Sequence, residues 1–105
     1  MKVHNQYKLH EFSGKHPPAR LWVRTWLAEA SAASWTSSHD IKYRYRAASF
    51  VGSLVIFNVK GNDYRLVTQI AYRMGIIVVQ WIGTHDAYDR VNWETAKDEN
   101  DSRKD

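Results

Sequence analysis

Apolar positions follow two patterns along this 105-residue chain: helical spacing in the first third, strand-like runs after residue 53. Asn5 stands where a helix cap would, before a short helix ending near Gly14 with Leu9 and Phe12 on its inner side. Pro17 and Pro18 suit the first turn of a second helix, where missing N–H groups leave nothing unsatisfied. Ala19, Trp22, Val23, Trp26 and Ala30 then recur at i, i+3, i+4 and i+7 spacing, one stripe predicted to face the core, with Lys15, Arg20 and Arg24 off it. From Leu54 the pattern changes. Leu54–Val59, residues 63–73 and Ile76–Thr84 are rich in Val, Ile, Tyr and Phe and read as three strands. Two tight hairpins are predicted between them, with Gly61-Asn62 and Met74-Gly75 at the tips. The expected fold is α+β: two N-terminal helices on one face of a small antiparallel sheet, a meander of three main strands with room for a short N-terminal edge strand.

Residues 36–53 fit two descriptions. Ser37-x-x-Asp40 resembles a capping box that opens a short helix. Yet Ile41, Tyr43 and Tyr45 alternate with Lys42, Arg44 and Arg46, which is strand periodicity. A short helix or extended turn is the expectation taken here. The interleaved bases Lys42, Arg44 and Arg46 suit stacking and phosphate contact on RNA, and equally suit a solvated face over core tyrosines.

Composition narrows the function classes. There is no cysteine, which excludes a disulfide scaffold, cysteine-ligated zinc, an iron–sulfur cluster and thiol catalysis. No apolar run approaches the roughly 20 residues of a membrane span, and the start lacks the apolar stretch of a signal peptide. A cytoplasmic protein with no membrane association is expected. Residues 94–105 carry five acids and three bases with little apolar content, and read as a polar tail after a single domain over residues 1–93. Those 93 residues hold twelve bases against six acids, a balance of +6 that favours a polyanionic partner.

The hairpins predict a register. Val59 faces Tyr64 and Asn58 faces Arg65; across the second hairpin Arg73 faces Ile76, Gln69 faces Gln80 and Arg65 faces Thr84. Asn58, Lys60, Arg65, Thr84, His85 and Tyr88 would then meet at one end of the sheet. Arg73 would lie roughly 27 Å along the strand from Arg65, too far to share a ligand. An Arg and a Lys beside a His and a Tyr, without an acidic pair or metal-ligand spacing, point to phosphate chemistry that needs no metal or other cofactor. The guanidinium would hold a scissile phosphate, and the imidazole would move protons near neutral pH. A purely structural arrangement also fits, with His85 bonded at a strand end and Arg65 paired to Asp86 or Asp89.

The segment Val55-Ile56-Phe57-Asn58-Val59-Lys60-Gly61-Asn62-Asp63-Tyr64-Arg65-Leu66-Val67, followed by Gly83-Thr84-His85-Asp86-Ala87-Tyr88-Asp89, resembles the HigB-type toxins of type II toxin–antitoxin systems, within the RelE-like superfamily. The likeness extends over about residues 1–92. It implies a helix-covered antiparallel sheet and a metal-independent mRNA endoribonuclease, ribosome-associated, cleaving through 2′-OH attack and inhibiting translation. It also implies a cognate antitoxin carrying a helix-turn-helix domain. Carried over by position, Arg65 matches the phosphate-holding arginine, and His85 stands where relatives have another basic residue. Asn58 falls near a catalytic lysine of some relatives, so either Lys60 substitutes for it or the mechanism differs. Catalysis is thus expected from Arg65, His85, Lys60 and Tyr88, and RNA binding from Lys42, Arg44, Arg46, Asn58 and Thr84. Two other readings share the basic face: a non-catalytic RNA-binding or ribosome-associated module, and a domain that docks an acidic protein.

Overall fold

The computed structural model describes residues 1–94, so the polar tail expected over 94–105 lies, from residue 95 on, outside the described residues. Five strands and four helices follow one another as β1 (Lys2–His4), α1 (Gln6–Lys15), a 3₁₀ turn (Pro17–Ala19), α2 (Arg20–Ala32), α3 (Ser38–Arg44), β2 (Ser49–Val51), β3 (Leu54–Val59), β4 (Tyr64–Ala71), β5 (Ile76–Thr84) and α4 (His85–Asp89). The strands form one sheet in the order β1-β5-β4-β3-β2. β1 is the short N-terminal edge strand for which the expectation left room, but it runs parallel to β5. The other pairs are antiparallel, so the sheet is mixed rather than antiparallel, and β2 adds a strand beyond those expected. None of the described helices is long and apolar enough to cross a membrane.

The helix stripe lies where its spacing placed it. Ala19, Val23, Trp26 and Ala30 are buried and pack with Leu9, Ile41 and the inner face of the sheet, namely Val55, Phe57, Val59, Leu66, Ile70, Ile77 and Val79. The prolines fill a 3₁₀ turn leading into α2 rather than the first turn of α2 itself. Asn5 precedes α1 as expected, but in a left-handed conformation (φ 65°); its side chain reaches across to donate to the Val79 carbonyl at 3.2 Å. α3 is a helix despite its strand-like alternation. Ile41 is fully buried and Tyr45 half-buried one turn later, while Tyr43 between them is 87% exposed. That is helical period, not strand period. Ser37 is the N-cap residue, but its side chain makes no cap bond; Asp40 instead accepts from both the backbone N–H and the hydroxyl of Thr36.

The outer face carries a second, smaller core of Leu54, Ile56 and Val67, against which Val51, Trp81, Tyr88 and Trp93 pack. Helices α1–α3 therefore cover one face of the sheet. The short α4 and its aromatic neighbours cover part of the other.

Candidate functional site

The first hairpin holds its predicted register, with Val59 opposite Tyr64 and Asn58 opposite Arg65. The second does not. Ala71, not Arg73, faces Ile76, because the reversal spans Tyr72 to Gly75, closed by the Gly75 N–H on the Tyr72 carbonyl at 3.2 Å with Gly75 at φ 68°. Val78, not Gln80, consequently faces Gln69. A bulge at Val67/Thr68 takes up one residue, so at the far end Arg65 faces Gly83 and Thr84 faces Tyr64. One residue of register exchanges the two faces. Thr84 therefore leaves the face of Arg65, and its hydroxyl caps α4 by accepting from the Ala87 N–H at 3.1 Å.

On the outer face Arg65 is only 9% exposed. Its Nη1 donates to the carbonyls of Asn62 (3.2 Å) and Tyr64 (3.0 Å), and its Nη2 donates to Asn62 Oδ1 at 2.7 Å. A guanidinium has five N–H groups. Those three bonds leave the Nε–H and one Nη2–H without a protein acceptor among the described residues. The group also stands 5.9 Å from the ring centre of Tyr88. Burial pushes the Tyr88 phenol above its usual pKa of 10; Arg65 opposes that shift and Asp89 adds to it, so Tyr88 is protonated at neutral pH. Tyr88 in turn stacks on Trp93 (5.3 Å, 22°), whose indole N–H donates to the Tyr88 carbonyl at 3.1 Å.

His85 opens α4, with its backbone N–H on the Asp63 carbonyl at 3.0 Å, which ties the helix to the β3–β4 turn. Its Nε2 lies 3.3 Å from Asp89 Oδ2, one helical turn on. The aspartate thus orients the imidazole, as the purely structural alternative has it, whereas Arg65 is clamped by Asn62 rather than by Asp86 or Asp89. Lys60 sits in the turn with φ 50°, 4.0 Å from Asp63 Oδ2, an exposed pair of little strength. It also lines a cleft of about 490 Å³ between α2 and α3, with Trp22, Trp26, Arg44 and Tyr45.

The structure therefore gathers Asn58, Arg65 and Tyr88 on the outer face and sets His85 at the same end of the sheet. Lys60 stands on the rim between the two faces, and Thr84 acts only through the cap. The bases of residues 42–46 belong to the helix side. Lys42 Nζ is bonded to the Ala48 carbonyl at 2.7 Å, Arg44 is paired with Glu29, and Arg46 is exposed. Sequence reasoning missed Asn62, which clamps the key arginine, and Gly83, over which the Trp81 indole lies. Asn62 was visible as a carboxamide three residues before Arg65 in a turn; Gly83 required the true register. Among the described residues no group of three His, Asp or Glu side chains is placed to hold a metal ion.

With this geometry in place, comparison with known families is decisive for residues 19–91, which match the HigB_toxin model, a RelE-like toxic component of a toxin–antitoxin system. The chain belongs to the HigB toxin family. The match runs from the start of α2's stripe to just beyond α4 and so contains every candidate residue on the sheet and on α3 and α4. A HigB toxin implies an antitoxin as partner. A search of curated proteins finds no match to the chain.

Proposed function

We propose that this HigB-family chain is an mRNA endoribonuclease that inhibits translation on the ribosome, is held in check by a cognate antitoxin with a helix-turn-helix domain, and cleaves by attack of the RNA 2′-OH. The single observation that carries the reading is the Arg65 guanidinium: immobilised by three hydrogen bonds, yet with two N–H groups that no described residue takes up and that suit a phosphate. Immobilisation matters because donors fixed in advance stabilise charge developing on the phosphate without reorganising. His85 removes the 2′-OH proton, the 2′ oxygen forms a bond to phosphorus, and the P–O5′ bond breaks. Tyr88, held in its protonated form, supplies the proton to the departing 5′ oxygen. The products are a 2′,3′-cyclic phosphate and a 5′-hydroxyl end. Asn58 positions RNA beside Arg65, and Lys60 adds positive charge at the rim. Lys42, Arg44 and Arg46 contribute RNA contacts from the helix side, and Thr84 positions His85 through the cap. This mechanism needs no metal.

The direct test is expression of the wild-type chain, Arg65→Ala and His85→Ala in bacteria at matched protein levels, with transcript 5′ ends mapped. The expected result is growth arrest and new 5′-hydroxyl ends for the wild type, with both lost in either variant. Equal arrest from all three chains would reject the assignment. The non-catalytic RNA-binding reading draws on one observation, the cover that Tyr88 and Trp93 form beside a nearly buried Arg65. It predicts arrest without new ends.

A further inference from the structure

A second cleft, of about 320 Å³, opens between α1 and α2 and is lined by His10, Ser13, Gly14, Arg20, Val23, Arg24 and Leu27. None of its residues belongs to the site described above, whose Arg65, Tyr88 and Asn58 lie on the opposite face of the sheet. Arg20 and Arg24 are one turn apart on α2, and His10 and Ser13 are one turn apart on α1. Among the described residues no acid lines the cleft, and neither arginine forms an ion pair. Two like charges at i, i+4 spacing destabilise a helix unless something neutralises them. The second observation is Ser13. It is 8% exposed, and its hydroxyl is buried with no hydrogen-bond partner. Buried polar atoms are nearly always satisfied, and an orphan at the wall of a cationic cleft signals a missing acceptor.

We propose that this cleft is an exosite for a phosphate group of the RNA backbone, held by Arg20 and Arg24, with the Ser13 hydroxyl turning about its Cα–Cβ bond from its buried, unpartnered position to act as a neutral donor. Guanidiniums suit the planar two-oxygen grip that a phosphodiester offers, and a serine hydroxyl adds a donor without charge. The site rests on the RNA-binding part of the proposed function but not on its chemistry. It lies in the helix layer, so it engages RNA away from the scissile bond and contributes affinity rather than rate.

Gly14 supplies a clean test. A Cβ built there meets nothing within 4 Å, so a side chain is accommodated and extends along the cleft. Gly14→Glu places a carboxylate among the arginines; Gly14→Gln places the same bulk without charge. The probe is a 2′-O-methyl oligonucleotide, which cannot be cleaved, long enough to span the 38 Å length of the molecule. Gly14→Glu is expected to bind it about tenfold more weakly than Gly14→Gln, with the two variants melting alike. Arg20→Gln/Arg24→Gln is expected to flatten the plot of log affinity against log salt by roughly 0.7 for one phosphate no longer neutralised. Inorganic phosphate should compete with the oligonucleotide more strongly on the wild type than on the double variant, where only Arg65 remains to hold it. Equal affinity of the two Gly14 variants would overturn the proposal. So would phosphate binding without competition, which would mark a site for the free ion. Cleavage assays on the same proteins keep the two readings apart. A wild type that cleaves nothing while the Gly14 pair still differ removes the nuclease and leaves the exosite. A wild type that cleaves while the pair bind equally does the reverse.

Discussion

Gly83 shows how much a single position decides at this site. A Cβ there would stand 2.5 Å from the Trp81 indole, which lies across the glycine on the outer face. Gly83→Ala must therefore push the indole aside, and with it the Tyr88 and Trp93 rings that pack on it. Overpacking of this kind costs about 1–3 kcal/mol. Urea denaturation should show that loss, together with a change in tryptophan fluorescence; an unchanged midpoint would mean the ring moves freely. Glu29 is a second decisive residue, because it receives both the Tyr45 hydroxyl and the Arg44 guanidinium. The Tyr45 hydrogen bond, then the hydrogen bond and charge of Arg44, hold its pKa below the usual 4.5 against the opposing effect of burial. A carboxyl depressed in the folded state stabilises the fold above pH 4.5, and that contribution is lost as pH falls through the folded value. Thermal melts from pH 6 to 3 should therefore fall less steeply for Glu29→Gln than for the wild type, which already holds the advantage at neutral pH.

Among the elements, legibility tracked the amount of apolar surface each one buries. β3 and β5 were read to the residue, because each offers six or more positions rich in Val, Ile and Phe. β1 and β2 are three residues each and mostly exposed, too short for alternation to register, so β2 went unread. β4 was read too long, since Tyr72 and Arg73 belong to the reversal. That reversal moved the register by two residues, which keeps the face; the bulge at Val67/Thr68 shifted it by one and took Thr84 off the face of Arg65. No periodicity reports how many residues a turn consumes or where a bulge will fall. The Arg65–Asn58 pairing survived because it depends on the first hairpin alone. That hairpin carries a testable tension: Lys60 adopts φ 50°, a left-handed conformation that disfavours any side chain beyond Cα. Lys60→Gly should relieve it and raise stability by about 1 kcal/mol. If Lys60 supplies charge at the rim, the same change lowers RNA cleavage. Stability up and cleavage down from one substitution would show strain retained for function; cleavage unaltered would remove Lys60 from the site.

At the scale of the whole molecule the two faces of the sheet are unequal. The inner face is closed by three helices over a large contiguous core in which Trp26 is 1% exposed and meets Phe57 edge-on at 5.5 Å. The outer face rests on three buried aliphatics, a five-residue helix and the Trp81–Tyr88–Trp93 cluster. A helix of one turn and a half has no stability of its own and persists only through such packing. The inner core should therefore set global stability, while the outer cover, and Arg65 beneath it, opens at lower free energy. Truncating a tryptophan on each side separates the two. Trp26→Ala is expected to cost about 3–5 kcal/mol and to lower protection of every core amide. Trp93→Ala removes the stack on Tyr88 and the bond to its carbonyl, and should leave the exchange of β3–β5 amides nearly unchanged while that of α4 accelerates. Native-state hydrogen exchange reads both. If Trp93→Ala instead lowered protection throughout the sheet, the outer layer would be part of the cooperative core, and access to Arg65 would require unfolding of the whole domain.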